Sequence, residues 1–316
     1  MDRLRSDSST ENMTSHQPSA HQPSAHQPSA HQPDDDLILI TGGTGKTGRR
    51  IADRLVARGL PTRIGSRAGS PAFDWDESAG WAATLRGVRA AYLSYYPDLA
   101  VPGGASTIAA FAAAAVEAGV RRLVLLSGRG EPAAAEAELA VQSAGAEWIV
   151  LRCSWFNQNF SESYLLEPIL DGLLALPAGS VAEPFVDADD IADVAVAALT
   201  SDRHVGRLYE LTGPRLLSFA DAVAEIGRAS GRSIRYVPLS VQEYATELAA
   251  QGVPDAVIEL LGYLFTEVLD GRNARLTDGV RRALGRAPRD FRDYAHAVAE
   301  SGAWQPLPTS PAPSFR

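Results

Sequence analysis

The chain has one lysine, Lys46, against 28 arginines. Any mechanism that needs a lysine, as a Schiff-base former or as the partner of a proton-donating tyrosine, must use that residue or do without. Cysteine is equally scarce. Cys153 alone excludes an intrachain disulfide and a zinc site built on thiolates, and it suits a reducing compartment. Positive charge is in deficit, with a net of -9, so a basic surface for nucleic acid is not expected. Long apolar runs are missing too: the longest, Ile108 to Val116, is far too short to span a bilayer, and the N-terminus lacks a hydrophobic stretch of signal-peptide type. These absences predict a cytoplasmic protein with no nucleic-acid or membrane partner.

Residues 16 to 33 repeat His-Gln-Pro-Ser-Ala with period five. A proline every fifth residue, without apolar partners, supports neither helix nor strand, so residues 1–36 read as a disordered low-complexity tail. His16, His21, His26 and His31 fall in it. Spaced histidines can share an ion, but a solvated extension is the better account, and no metal site is expected. The tail carries six acids and two arginines, so it takes -4 of the net charge and leaves the rest at -5.

From Leu37 short apolar runs alternate with amphipathic segments. Leu37 to Ile40, Thr62 to Ser66, Ala90 to Ser94, Arg122 to Leu126 and Trp148 to Arg152 read as strands. Gly45 to Arg58, Ala105 to Ala118 and Pro132 to Ser143 read as helices. Strand and helix in alternation imply right-handed crossovers, hence an α/β fold: a Rossmann-like doubly wound parallel sheet over 37–160. Residues 161–304 are looser. Helices are predicted at Glu162 to Leu174, Ala188 to Leu199, Ser218 to Ser230, Val241 to Ala250 and Asp255 to Asp270, with short strands at Arg207 to Thr212 and Ile234 to Leu239. This half reads mostly as a smaller C-terminal substrate-binding cap with elements returning to the core, and 305–316 as a flexible end.

Directly after the first strand comes Thr41-Gly42-Gly43-Thr44-Gly45-Lys46-Thr47-Gly48, then an amphipathic helix. The string Gly45-Lys46-Thr47 invites a P-loop, but that motif wants a glycine where Ile40 stands, inside the strand. The spacing Gly42-x-x-Gly45-x-x-Gly48 is instead one that cradles a dinucleotide pyrophosphate. Its glycines allow a tight turn, close approach of backbone N–H groups to phosphate, and close packing of helix on strand. An NAD site normally presents an acid about 20 residues further on, for the ribose 2'-hydroxyl. Here that stretch is Thr62-Arg63-Ile64-Gly65-Ser66-Arg67, without an acid before Asp74. Ser66 and Arg67 could hold a 2'-phosphate, which makes NADPH the expected cofactor, with NADH possible. The alternative is that Arg67 is one more solvated arginine.

In a reductase acting on ketones, a Tyr-x-x-x-Lys pair late in the sheet supplies the proton. The corresponding strand here ends Leu126-Ser127-Gly128-Arg129-Gly130, and the following helix has neither residue. No tyrosine occurs between Tyr96 and Tyr164, and no lysine follows Lys46. Ser127 is left as the candidate catalytic hydroxyl, or as a residue that satisfies a turn. Two outcomes fit: a hydride acceptor that needs no enzymatic acid, such as an iminium or a quinone, or a non-catalytic sensor that binds the dinucleotide.

The run Ile38 to Asp53 resembles the NmrA-like atypical short-chain dehydrogenase/reductases, and within them the ergot-alkaloid reductase group. Further matching segments are Phe73-Asp74-Trp75-Asp76, Tyr92-Leu93 with Pro97-Asp98-Leu99, Val120 to Ser127, Val150 to Phe160, Phe185 to Ala192, and Phe291 to Tyr294 through Trp304. The resemblance implies reduction of a cyclic iminium to an amine with NADPH, and it adds Asp74 and Trp75 to the cofactor contacts.

Tyr95, Tyr96, Trp155, Phe156, Phe160 and Tyr164 follow predicted strands, so several lie beyond the carboxyl ends of the sheet, where open α/β folds bind ligands. Tyr95, Trp155 and Phe156 are candidates to stack on a flat small-molecule acceptor, or they pack sheet against cap. Asn159 could orient a nicotinamide or substrate amide, or cap a helix. Val257, Leu260, Leu261, Leu264, Phe265 and Val268 form a helical stripe suited to a core or a homodimer contact, and monomer and homodimer both stay open. Asp187, Asp189 and Asp190 resemble a metal cluster, but charge at a helix start accounts for them better.

Overall fold

The computed structural model describes residues 36–305. The expectations for the repeat tail and the C-terminal end fall almost wholly outside the described residues. Leu37–Thr41 (β1) has four successive residues without solvent exposure, from Ile38 to Thr41. That is the pattern of a strand covered on both faces. Lys46–Ala57 (α1), Thr62–Gly65 (β2), Trp81–Leu85 (α2), Val88–Leu93 (β3), Gly104–Glu117 (α3), Arg122–Gly128 (β4), Pro132–Ser143 (α4) and Glu147–Cys153 (β5) follow. Then come Leu166–Leu170 (α5), Leu173–Leu176 (β6), Ala182–Glu183 (β7), Ala188–Thr200 (α6), Arg207–Leu211 (β8), Leu217–Ser218 (β9) and Phe219–Ser230 (α7). Arg235–Pro238 (β10), Val241–Ala250 (α8), Asp255–Tyr263 (α9), Gly279–Leu284 (α10) and Phe291–Glu300 (α11) complete the described chain.

Six strands pair in the order β2-β1-β3-β4-β5-β8, every pair parallel. One face packs with α1, α6 and α10 around Ile40, Ile51, Leu55, Val194 and Val280; the other packs with α2, α3 and α4 around Leu39, Trp81, Phe111 and Val141. The fold is thus the doubly wound Rossmann-like sheet. Its sixth strand and the helix α6 come from the second half of the sequence.

The cap has its own core, where Phe160 lies 5.4 Å from Phe185 and 5.4 Å from Phe291, ring centre to ring centre. The Trp304 indole N–H donates to the Phe160 carbonyl at 2.9 Å, which ties the end of the described chain into that cluster. Two helices start on capping boxes, Ser218 with Asp221 and Ser240 with Glu243, as their spacing dictates.

Two cap elements differ from expectation. The predicted helix over Glu162 to Leu174 is only α5, and it gives way to the strand β6, which pairs with β10. Pro168 sits in the first turn, where its missing N–H costs nothing, but Gly172 at φ +80° ends the helix. The predicted helix over Asp255 to Asp270 is α-helical only to Tyr263 and continues as π-helix from Leu264 to Val268.

α1 is fastened to α6 by charge. Arg54 donates to Asp189 at 2.6 Å and to Asp193 at 2.8 Å, and Arg50 reaches Asp189 at 3.4 Å and Glu162 at 2.7 Å. Asp190, fully buried in α6, accepts the Arg289 backbone N–H at 2.7 Å and faces the guanidinium groups of Arg286 and Arg289. Asp187 caps α6 by accepting the Asp189 N–H at 2.7 Å, so each of the three aspartates read as helix-start charge has protein partners. Removing one side of a buried ion pair leaves the other uncompensated, at a cost of about 3–5 kcal/mol when both partners are buried. With the two arginines half exposed, Asp190→Ala is expected to lower unfolding free energy by about 3 kcal/mol, measured from the denaturant midpoint.

Candidate cofactor and substrate site

The chain leaves β1 for β2 on one side of the sheet and reaches β3 on the other. A crevice opens at such a reversal, beyond the carboxyl ends of the strands. Gly42 turns the chain there at φ +61°, a conformation that favours glycine. Gly48, in the first turn of α1, packs so closely on the loop that a Cβ would lie 2.2 Å from the Gly42 carbonyl oxygen and 2.8 Å from the Gly43 Cα. A Cβ on Gly43 would lie 2.7 Å from the Ile64 side chain. At Gly43 and Gly48 only bare backbone fits.

The loop is braced from below. Thr41 Oγ1 donates to the Tyr92 carbonyl at 3.0 Å and accepts the Ser94 N–H at 2.9 Å. The buried Tyr92 hydroxyl donates to Thr47 Oγ1 at 3.0 Å, and burial holds that phenol far above its ordinary pKa. Thr44 and Gly45 are exposed at the loop tip. Among the described residues no side chain caps α1 and no acid stands in its first turn, so the positive end of the helix faces the crevice. Burial pulls the half-buried Lys46 ammonium below its ordinary pKa, opposed by Glu162 and reinforced by Arg49. A glycine cradle, an uncapped helix start and a nearby lysine fit a pyrophosphate.

Ser66, half-buried, and Arg67, exposed, come directly after β2, whose last residue Gly65 accepts the Gly43 N–H at 3.4 Å. They therefore stand beside the loop. Trp75 is 7% exposed, in an aromatic cluster with Phe73 at 5.0 Å, Phe111 at 5.0 Å and Tyr95 at 5.2 Å. Its indole N–H donates to the Ser94 carbonyl at 3.1 Å, so it braces the turn after β3. The Asp74 carbonyl accepts the Trp81 indole N–H at 3.0 Å, and its carboxylate accepts the Asp76 N–H at 3.2 Å.

At the end of β4, Ser127 is buried and donates to Glu138 at 2.6 Å. Glu138 also accepts the Arg152 Nε–H at 2.9 Å, and Arg152 reaches Glu210 at 3.3 Å. The Ser127 hydroxyl thus already donates within a charged network spanning β4, α4, β5 and β8. Trp155, half-buried, packs with Phe219 at 5.6 Å and Phe265 at 5.2 Å, where the cap meets the sheet. Phe156 bridges to Val186. Asn159 is half-buried and its N–H donates to the Phe156 carbonyl at 3.1 Å. Its neighbours Asn157 and Gln158 are buried and both donate to Asp187, at 3.3 and 3.1 Å. Tyr96 and Tyr164 are exposed.

The fold also assembles acids that nothing in the sequence marks as functional. Asp98, after β3, and Glu131, after β4, share a hydrogen bond, and Glu131 lies over Gly128. Burial, and then the charge of Asp98, push Glu131 up to about 8, so it keeps a proton at neutral pH. In sequence, Glu131 before Pro132 is merely the residue that precedes a helix. A carboxyl that binds its proton more tightly when folded stabilises the fold fully below its unfolded pKa, and this contribution fades as pH rises toward 8. Glu131→Gln keeps the hydrogen-bond donor without the titration. Its melting temperature is expected to match the parent's near pH 5 and to exceed it by about 2–4 °C at pH 9, read by calorimetry.

No family model matches the chain. It is 34% identical over 281 residues to the uncharacterized oxidoreductase YesF of Bacillus subtilis, covering 84% of this chain and 97% of that one. It is 32% identical over 289 residues to agroclavine dehydrogenase of Claviceps fusiformis, covering 81% and 95%. The Citrobacter sp. triphenylmethane reductase, solved with NADP(H), superposes with a TM-score of 0.67 over 83% of this chain and 99% of its own, at 18% identity, a likeness of fold. With relatives of this identity matched over nearly their whole length, the chain belongs to the NmrA-like atypical short-chain dehydrogenase/reductases, the family of NAD(P)H-dependent reductases that includes agroclavine dehydrogenase.

Proposed function

We propose that the protein is an NADPH-dependent reductase whose hydride acceptor takes no proton from a Tyr-Lys pair: a cyclic iminium or imine, a quinone or a similar acceptor. The observation that carries this reading is the cradle at Gly42, Gly43 and Gly48, which has no room for a Cβ at Gly43 or Gly48, holds Gly42 at positive φ and lies at the β1/β3 reversal. Backbone from Gly42 to Gly48, with Thr44, Gly45, Lys46 and Thr47, would face the pyrophosphate. Ser66 and Arg67 would meet a 2'-phosphate, since no acid is there to receive a 2'-hydroxyl. When bound, the dinucleotide supplies the hydride.

The chain's own residues hold that geometry. Thr41, Tyr92 and Trp75 brace the two loops that flank the crevice. Trp155 and Phe156 stand at the junction of sheet and cap, and with Tyr95 and Asn159 they are the proposed acceptor contacts. Ser127 is a poor acid, because its proton is engaged by the Glu138 carboxylate. That favours an acceptor whose reduced form needs no proton from the enzyme, in keeping with a relative named for agroclavine.

Steady-state screening with cyclic iminium salts, quinones and azo dyes is expected to reveal NADPH oxidation. Binding of oxidised cofactor without turnover on any acceptor would instead fit a sensor. Arg67→Ala is expected to weaken NADPH binding about 10- to 100-fold, the equivalent of about 1.5–3 kcal/mol for a charged hydrogen bond, with NADH binding unchanged. An unchanged NADPH to NADH ratio would refute the role of Arg67. Gly48→Ala is expected to lower affinity for both nucleotides at least tenfold, by fluorescence titration, since the added methyl must push α1 off the loop.

A further inference from the structure

Two half-buried acids meet at the mouth of the sheet. Asp98 lies in the loop after β3 and Glu131 in the turn after β4, and a hydrogen bond joins their carboxyl groups. Glu131 stands at the start of α4, where an acid ordinarily accepts a first-turn N–H, yet its side chain makes no such bond. It folds back over the end of β4 instead, into the place a Cβ on Gly128 would take. Asp98 accepts the Ala100 N–H at 2.8 Å. Among the described residues no cation acts on either carboxyl.

The pair lies between the glycine cradle and the cap. The loop that carries Asp98 starts at Ser94, which donates its N–H to Thr41 Oγ1 at 2.9 Å and sits so near the cradle that a Cβ on Gly42 would be 3.3 Å from the Ser94 Cβ. The same loop carries Tyr95, one of the proposed acceptor contacts. From the cap, Tyr263 at the end of α9 meets the pair: burial, then the charges of Glu131 and Asp98, push its half-buried phenol above its ordinary pKa, with Glu267 adding to them and Arg272 opposing. Glu131 itself, pushed up to about 8, holds a proton at neutral pH and releases it within reach of that pH, which a serine hydroxyl such as Ser127 does not.

On the reductase reading above, we propose that Glu131 is a proton donor for neutral cyclic imines, held in place by Asp98 as its positioning residue. The Glu131 O–H bond breaks and an N–H bond forms on the imine nitrogen, which becomes an iminium facing two carboxylates. Hydride addition to the ring carbon then passes the π electron pair to nitrogen, NADPH is oxidised to NADP⁺, and the amine leaves neutral. Water returns the proton to the pair, which repulsion between two adjoining carboxylates favours. The proton is delivered before the hydride, so an acceptor that already carries a positive nitrogen has no need of Glu131.

The test uses the full chain with two acceptors: 2,3,3-trimethyl-3H-indole, a weakly basic imine that is neutral at pH 7.5, and N-methyl-3,4-dihydroisoquinolinium, which is charged at every pH. Glu131→Gln is expected to lower the ratio of kcat for the imine to kcat for the iminium at least tenfold at pH 7.5, within the range of about 100-fold or more that a general acid supplies. An unchanged ratio overturns the proposal, and a matching melting temperature near pH 5 verifies that the variant folds. In the parent, kcat for the imine should fall as pH climbs through about 8 while that for the iminium stays flat; a flat imine profile overturns the proposal even if the variant does not fold. Asp98→Asn, which removes the charge that raises Glu131, should move this break to lower pH, and an unmoved break overturns the pair as the source of the proton. A parent that reduces the iminium or a quinone but not the imine overturns this inference alone. One that binds no NADPH overturns the reductase reading as well.

Discussion

Everything at the mouth of the sheet depends on one contact without side chains. α1 rests on the turn after β1 at Gly48, too close to the Gly42 carbonyl for any Cβ. That approach sets the angle at which the helix leaves the sheet. It also aims the uncapped helix start into the crevice, so the helix dipole and the first-turn N–H groups act on whatever lies there. The surrounding bonds serve the same geometry: Thr41 to Tyr92, Tyr92 to Thr47, and Trp75 to Ser94 lock the loop to the neighbouring strand.

The opposite side of α1 is held differently. Arg49, Arg50 and Arg54 meet Glu162, Asp189 and Asp193, so a helix that must sit accurately on a backbone contact is clamped from behind by charge. Arginine suits this work: its planar fork engages two carboxylates at once, where an ammonium would offer a single point of charge. The same usage recurs where Arg152 spans Glu138 and Glu210 and where Arg215 spans Glu225 and Asp290. The chain's preference for arginine is therefore built into its architecture, and the lone lysine stands at the helix start.

Beyond the strands of the sheet the fold gathers a set of buried and half-buried carboxyl groups. Ser127 donates a hydrogen bond to Glu138, Glu131 shares one with Asp98, and among the described residues neither Glu183 oxygen has a hydrogen-bond partner. These groups come from β4, from the turns after β3 and β4, and from the cap. Their surroundings differ: Arg152 donates to Glu138, burial and then the charge of Asp98 push Glu131 up, and burial pushes Glu183 up against the attraction of Arg129.

The local features were legible in the sequence because they are local. Alternating apolar runs fix strands and helices, and the Gly42-x-x-Gly45-x-x-Gly48 spacing fixes a turn and a close helix. The resemblance makes Trp75 an expected cofactor contact, while its place in an aromatic cluster could not be read from it, because burial depends on what α2 and α3 bring to the same place. The helix expected through Leu174 ends at Leu170, because a strand at Leu173–Leu176 finds its partner in β10, some 60 residues later in the chain. Asp98 with Glu131, and Glu183 with Arg129, are likewise far apart in sequence, and the ionisation of each acid is set by its burial and then by its neighbour. Composition and spacing determined the sheet and the glycine loop. Which acids are buried, and which charges each of them meets, was decided only when distant segments packed together, since desolvation and charge act through space.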